Sequence, residues 1–426
     1  MDALVLLGSF ALLCAIGVPV AYGLGLSALI AALWIDIPLE AVILKISDGT
    51  DDFALLAIPF FVLAGAIMAE GGMATRLVNL ARVFVGAIRG GLALVNVMAS
   101  TLFGCVSGSS VADTASIGSV MIPQMVKAGY PRVFATNVTV CGSVQALLVP
   151  PSHNAVIYSL AAGGSVSVAH LFLAGILPGL LFGLCLIGLV LWTAQRRDYP
   201  RGEAISWRHV PKIVLDALWG LVTVLIIMGG ILSGVFTATE SAAVACVYAF
   251  FVTFVIYRDY KWRELPKLLH RVVKTVAMVM MLIGFSVAFG YMMALMQIPL
   301  KVTSFFLGIS DNKFVFLAMA NILLLVLGTF MDLAPMLLIC TPIFMPVILK
   351  LGIDPVHFGM IMILNLGIGL ITPPVGSTLF VGCAVGKVTM EAMTRELWPF
   401  YGAMCVALML VTYIPALSLW LPGLLR

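Results

Sequence analysis

Charge is what this chain has least of: Asp, Glu, Lys and Arg make up 10% of its 426 residues, against about 25% in soluble domains. A water-facing globular surface is excluded. The formal net charge of +4 says little about partners, because the charges are concentrated in a few loops; nucleic acid is not an expected partner. The eight cysteines, Cys14, Cys105, Cys141, Cys185, Cys246, Cys340, Cys383 and Cys405, show no CxxC or metal-ligand spacing; they read as small buried hydrophobes. A GxxxxGK[ST] phosphate loop is missing too, so ATP is not expected. The start, "MDALVLLGSF", lacks the basic region and cleavage site of a secretory signal, and the first helix is expected to stay attached.

In their place stand apolar runs. Hydrophobic residues are 62% of the chain and the mean hydropathy is +1.16. Runs near the roughly 20 residues a bilayer needs cover 4–34, 54–69, 133–160, 171–193, 213–232, 242–257, 276–298, 314–331, 361–384 and 401–421. They are continuous, without the alternation of barrel strands. The expectation is an all-α polytopic membrane protein. Lys and Arg concentrate in "QRRDYPRGEAISWRHVPK" (195–212) and "RDYKWRELPKLLHRVVK" (258–274), which the positive-inside rule assigns to the cytoplasm.

Two Pro-Pro pairs, in "SVQALLVPPSHNAVIYS" (143–159) and "NLGIGLITPPVGSTLFVG" (365–382), lie inside such runs. Their offset is 373 − 150 = 223, and it superposes Pro123 on Pro346 and Gly129 on Gly352 without a gap. The chain therefore reads as two repeats: 1–195, a cytoplasmic linker at 196–213, and 214–426. Secondary transporters place binding sites near the midplane on discontinuous helices in matching positions of two halves. Prolines free carbonyls one turn earlier, and non-helical backbone in a membrane is tolerated only inside protein or beside a watery cavity. Freed carbonyls beside Ser152, Asn154, Ser377 and Thr378 suit a hard cation such as Na⁺.

Other polar stretches lie at membrane depth. "STLFGCVSGSSVADTASIGS" (100–119) reads as part of a re-entrant hairpin near 100–127. Its tip, Ser107-Gly108-Ser109-Ser110, can meet an anion through N–H groups at a helix start. Asp113 within it either serves function or caps the second hairpin helix. In the second repeat, "LGTFMDLAPM" (327–336) places Asp332 in a hairpin near 314–350, where a role toward a cation or polar substrate is favoured over a cap. His153 reads as a structural residue that can also touch substrate or carry a proton. Arg76, Arg82 and Arg89, in the amphipathic stretch 72–90, suggest an interfacial helix tying a scaffold to a mobile part. A loose counterpart is expected at 261–274, or at 76 + 223 = 299.

The stretches "LLAIPFFVLAGAIM" (55–68), "GGLALVNVMASTLFGCVSGSSVADTASIGSVMIPQMVKAGY" (90–130), "VPPS" (149–152), "GVFTATESAAVA" (234–245) and "GLITPPVGSTLFVG" (369–382) resemble the large membrane subunit of tripartite ATP-independent periplasmic (TRAP) transporters along essentially the whole chain. That resemblance implies an inverted-repeat, elevator-type fold with two re-entrant hairpins and two discontinuous helices. It implies a multi-pass protein of the bacterial or archaeal inner membrane that imports organic acids with Na⁺. A periplasmic binding protein delivers the substrate, and a small four-helix membrane subunit, expected here as a separate chain, stiffens the scaffold. It implies one Na⁺ site near Ser107, Ser109, Gly142 and Ser152 and another near Gly328, Thr329, Gly367, Thr372 and Ser377, with Asp332 facing the substrate cavity. The chain departs from the family at His153 and Asn154, where apolar residues are usual, and at Ala238, where proline is usual.

Two alternatives remain at this level. A stand-alone divalent-anion/Na⁺ symporter would share the paired hairpins, although "SGSSVADTASIG" and "FTATES" favour the tripartite family. An intramembrane aspartyl protease would need Asp113 and Asp332 as its pair, and neither follows the glycine expected before such an acid.

Overall fold

The computed structural model describes residues 2–201, 205–206 and 208–424; residues 202–204 and 207 of the expected linker lie outside the described residues. Among them, seven helices are long and apolar enough to cross a membrane. The bent pair Arg132–Leu148 and His153–Ala161 makes an eighth if counted as one span. Helices dominate because a backbone in hydrocarbon must satisfy its own N–H and C=O groups.

The apolar run at 4–34 is two helices, Asp2–Ala15 and Val20–Trp34. Gly17 turns the chain at φ +88°, and Pro19 stands at the N-cap of the second helix, where its missing N–H costs no bond. Hydropathy alone saw no gap there, because the interrupting residues are themselves apolar.

The repeat is legible in the elements. Met73–Val85, Gly91–Ser107, Ser110–Lys127, Arg132–Leu148, His153–Ala161 and Val168–Arg196 are followed in register by Ile298–Ile309, Lys313–Gly328, Leu333–Lys350, Pro355–Gly369, Ser377–Gly386 and Met390–Tyr413. Gly129 and Gly352 both turn the chain with positive φ after the second hairpin helix. The first hairpin starts at Gly91, earlier than the polar stretch at 100 suggests. The counterpart of the interfacial helix is Ile298–Ile309, so the expectation at 261–274 is corrected. Those residues open the long helix Leu265–Leu295, and the register matches them to Leu39–Thr50, which the first repeat separates from Ala57–Glu70 at Asp51 and Asp52.

Packing exchanges partners between repeats. Ser110–Lys127 lies on Ser377–Gly386, and His153–Ala161 lies on Leu333–Lys350. Away from them, Ala57–Glu70 packs on Ala238–Phe251 and Val20–Trp34 on Leu265–Leu295. Within the first repeat the hairpin presses on the broken helix at Gly104, where an added Cβ would stand 2.7 Å from the Ala146 Cα. That contact is backbone and cannot rotate away. Gly104→Ala is therefore expected to cost about 1–3 kcal/mol and to lower the melting temperature in detergent; an unchanged melting curve would show that the two helices are not in contact there.

Candidate functional site

Both Pro-Pro bonds are cis, and each break leaves carbonyls without the amide four residues on. At the first, Ser152 replaces the N–H that Pro151 lacks: its Oγ donates to the Leu147 carbonyl at 2.7 Å. At the second, the Leu370 carbonyl accepts from the Thr378 and Leu379 amides at 3.2 and 3.4 Å. Gly376 makes this return possible with φ +33°. A Cβ there would stand 3.1 Å from the Thr372 carbonyl oxygen and 3.2 Å from that of Leu370. Two oxygens thus converge on a space that only glycine leaves open.

Each hairpin tip is seated on the break of its own repeat. Gly108, at φ +59°, lies so close that a Cβ would be 3.0 Å from the Pro151 carbonyl oxygen and 3.4 Å from His153 Nδ1. The Asn154 amide donates to the Gly108 carbonyl at 3.5 Å and to Ser152 Oγ at 3.4 Å. Ser109 caps the second hairpin helix through the Ala112 amide, and its own amide approaches Ser107 Oγ at 3.5 Å. In the second repeat, Gly328 and Gly369 meet backbone to backbone, with 2.8 Å left for a Cβ. The Val375 amide donates to the Thr329 carbonyl at 3.2 Å, and Ser377 Oγ donates to Asp332 Oδ1 at 3.2 Å.

The register puts Asp332 where the first repeat has Ser109 (109 + 223 = 332), and both are N-caps. Asp332 accepts from the Leu333 amide at 3.0 Å. The cap and the approach to the second break are therefore one position. Asp113 is not a cap, since Ser109 takes that place; it is fully buried, with the buried Ser100 hydroxyl beside its carboxylate.

The structure brings Ser107, Ser109, Ser152, His153 and Asn154 together at one tip and Gly328, Thr329, Asp332 and Ser377 at the other. Thr372 contributes its carbonyl at the second, while its hydroxyl donates to Ile368. Gly142 sits deeper, against Ser100 and Val97, with its carbonyl taken by Gln145 Nε2 at 3.1 Å. The nearest neighbours of Gly367 are Leu147 and Val144. Thr378 reaches across the repeats, its hydroxyl 2.8 Å from that of Ser110.

Reading the sequence missed the polar pairs that clamp these helices. Thr101 donates to Gln145 at 2.7 Å and Thr114 to Ser143 at 2.9 Å. Asn365 donates to Asn321, which in turn donates to Thr412. The Tyr401 hydroxyl holds the Ile371 carbonyl at 2.8 Å beside the second break. Lone amides inside apolar runs, Gln145 and Asn365 above all, were the available signal, since such groups at depth must pair.

Helix Met73–Val85, expected from the sequence to be interfacial, makes polar contacts on two sides. Arg76 pairs with Asp259 at 2.6 Å and stacks over Tyr257 at 3.6 Å, whereas Arg82 bonds Gln124 at the base of the first hairpin. Arg89 lies beyond the helix end and pairs with Asp198.

The family model described as "Tripartite ATP-independent periplasmic transporter, DctM component" matches residues 7–417. The Salmonella typhimurium protein YgiK is 46% identical over 425 residues, 99% of this chain and 97% of that one. The C4-dicarboxylate TRAP transporter large permease protein DctM of Pseudomonas aeruginosa is 43% identical over 401 residues, 94% and 93% of the two chains. Among solved structures, the Alcanivorax borkumensis YdaH transporter superposes with a TM-score of 0.60 at 14% identity, over 90% of this chain and 89% of that one. That is a likeness of fold alone.

The Ser110–Thr378 pair is the link between repeats whose energy can be isolated. A double-mutant cycle of Ser110→Ala and Thr378→Val, read by thermal unfolding, is expected to give a coupling of about 1 kcal/mol. Strict additivity would show that the two hydroxyls do not bond.

Proposed function

The chain belongs to the DctM component family of the tripartite ATP-independent periplasmic transporters, a large permease of the inner membrane, and from that premise we propose that it imports an organic acid driven by Na⁺. A periplasmic binding protein delivers the acid, and a small four-helix membrane subunit completes the permease. The Oleidesulfovibrio alaskensis relative named isethionate TRAP transporter permease protein DctMQ is 37% identical over 98% of this chain and 66% of its own length. Other relatives are named for 2,3-diketo-L-gulonate and for sialic acid, and with the C4-dicarboxylate permeases they make a carboxylate the favoured cargo. Permease relatives also set aside the protease reading.

One observation carries the coupling: each hairpin tip is seated on a Pro-Pro break, with the Pro151 carbonyl oxygen against Gly108 at the first and the Thr372 and Leu370 carbonyl oxygens converging on Gly376 at the second. Oxygen cages of this kind suit Na⁺, a hard cation. In this reading one ion is held by oxygens of the first tip and break, among Ser107, Ser109 and Ser152. The other is held among Thr329, Thr372 and Ser377, around Gly376. The substrate sits between the tips, with Asp332 and Ser377 reaching its hydroxyl groups or the second ion; a carboxylate of the cargo would repel Asp332 and faces the serine-rich first tip instead. Asn154 and His153 support that tip from below. Each Na⁺ entering down about 100 mV contributes roughly 2.3 kcal/mol, so two ions balance a dicarboxylate and the concentration gradient drives accumulation. An elevator movement of both tips, with Met73–Val85 as the connection to the scaffold, completes the cycle.

Uptake of labelled organic acids into proteoliposomes tests this, with the permease pair, an inward Na⁺ gradient and the binding protein each present or omitted. Uptake is expected to need all three. Uptake with Na⁺ alone would instead make the chain a stand-alone symporter. Gly376→Ala is expected to raise the Na⁺ needed for half-maximal uptake about tenfold, near 1.4 kcal/mol; an unchanged Na⁺ dependence would remove the second cage. Asp332→Asn is expected to lower uptake about tenfold, and full activity would end its assignment.

A further inference from the structure

Successive carbonyls of the second break go different ways. Those of Leu370 and Thr372 converge on Gly376, at 3.2 and 3.1 Å from where a Cβ would stand. The carbonyl between them, on Ile371, would bond the Val375 amide in a continuous helix. That amide instead donates to the Thr329 carbonyl of the hairpin at 3.2 Å. The Tyr401 hydroxyl takes its place, donating to the Ile371 carbonyl at 2.8 Å. The other polar end of the same peptide is engaged as well, since the Thr372 amide donates to the Gly369 carbonyl at 2.9 Å. A peptide unit is planar, so holding both of its ends fixes how the chain enters and leaves it, and with that the directions of the two flanking carbonyls.

Tyr401 is itself held. It lies on helix Met390–Tyr413, which buries Leu397, Phe400, Met404, Ala407 and Val411 along one stripe at helical spacing. This helix is tied to the pre-break helix of the first repeat: the Asn137 amide donates to the Met393 carbonyl at 3.2 Å, and the Phe134 and Phe400 rings lie 6.1 Å apart. The Tyr401 ring meets Trp398 edge-on at 6.0 Å. The hydroxyl is therefore delivered from a packed helix, not from a loop.

The register shows the same carbonyl engaged in the first repeat. Ile371 corresponds to Leu148 (371 − 223 = 148). The helix after that break, Val168–Arg196, lies so close that a Cβ on Gly175 would stand 2.1 Å from the Leu148 carbonyl oxygen. One repeat covers this carbonyl with backbone, and the other holds it with a phenol that a single substitution can remove.

We propose that Tyr401 is a positioning residue of the second oxygen cage: by taking the Ile371 carbonyl it holds the Leu370 and Thr372 oxygens toward Gly376 and so sets the affinity for the coupling ion. This rests on the reading of that cage as a Na⁺ site. Tyr401 acts through the peptide that joins the two oxygens and does not touch the ion. Groups that orient the ligands of a metal commonly govern its affinity by about 10- to 100-fold; a single neutral hydrogen bond to backbone belongs at or below the lower end.

Tyr401→Phe keeps the ring and removes one oxygen. Uptake into proteoliposomes holding the permease pair, with the binding protein present, is measured against external Na⁺ for this variant and for Gly376→Ala. The matched control is Tyr248→Phe, whose hydroxyl donates to the Trp219 carbonyl at 2.9 Å between helices Val210–Leu232 and Ala238–Phe251. Tyr401→Phe is expected to raise the Na⁺ concentration for half-maximal uptake about fivefold, with maximal uptake at saturating Na⁺ retained, and Tyr248→Phe to leave it unchanged. The rise in melting temperature of the purified pair with Na⁺ over K⁺ gives the same comparison without transport, and its midpoint is expected to shift by the same factor. An unshifted Na⁺ dependence in Tyr401→Phe beside a raised one in Gly376→Ala would overturn the positioning role and leave the cage standing. No shift in either would remove the cage and the role together. Equal shifts in Tyr401→Phe and Tyr248→Phe would mark a general loss of stability and would also overturn the role.

Discussion

A carbonyl in hydrocarbon must find a donor, and the architecture of both repeats follows from how the two Pro-Pro breaks meet that demand. Proline removes the donor at the place where water cannot replace it. The chain answers by folding other parts of itself onto the break. Ser152 turns back to Leu147, the amides of Thr378 and Leu379 turn back to Leu370, and each hairpin tip is laid across the opening. A hairpin suits the break for this reason: a continuous helix would pass it side-on, whereas a turn offers amides, hydroxyls and glycine clearance.

Equivalent positions do not hold equivalent chemistry. Where the first repeat caps its hairpin with Ser109, the second uses Asp332, and where the first has Ser152 and Asn154 the second has Val375 and Ser377. The first opening is closed by side chains, and Ser152 and Asn154 are buried there. The second is closed by backbone, and Asp332 is exposed beside it. A negative charge at one tip and neutral hydroxyls at the other give any bound anion an orientation. An exact repeat would give none.

The helical class, the repeat offset, the hairpin tips and the breaks were legible in the sequence because each leaves a local mark: hydropathy, paired prolines, or Gly and Ser inside an apolar run. The split at Gly17–Pro19 was not, since its neighbours are as apolar as the helices it divides. The long helix Leu265–Leu295 hid its start behind six basic residues between Lys261 and Lys274, which read as a separate interfacial segment. At the candidate site, the tips and the breaks could each be named from local composition, while the pairing of tip with break came from the family resemblance alone. The Ser110–Thr378 bond, across 268 positions, could not, because nothing local indicates which repeat a hydroxyl will face. The same holds for Gly142 and Gly367, whose surroundings are set by which helix face turns inward.

The exchange of partners between repeats bears on how the two tips can move. Each second hairpin helix lies on the post-break helix of the other repeat, and Ser110 bonds Thr378 across that boundary. Separating the tips would strip two helix pairs and leave buried hydroxyls unpaired, a cost of about 1–3 kcal/mol for each such group before any apolar packing is counted. Moving both tips together breaks none of these contacts. In the elevator movement proposed above, the strain would fall instead on helix Met73–Val85, where Arg76 holds Asp259 and Tyr257 on one side and Arg82 holds Gln124 on the other. These are polar contacts between part-buried or exposed side chains, where water can take the place of a broken bond, so they are the ones such a movement could exchange.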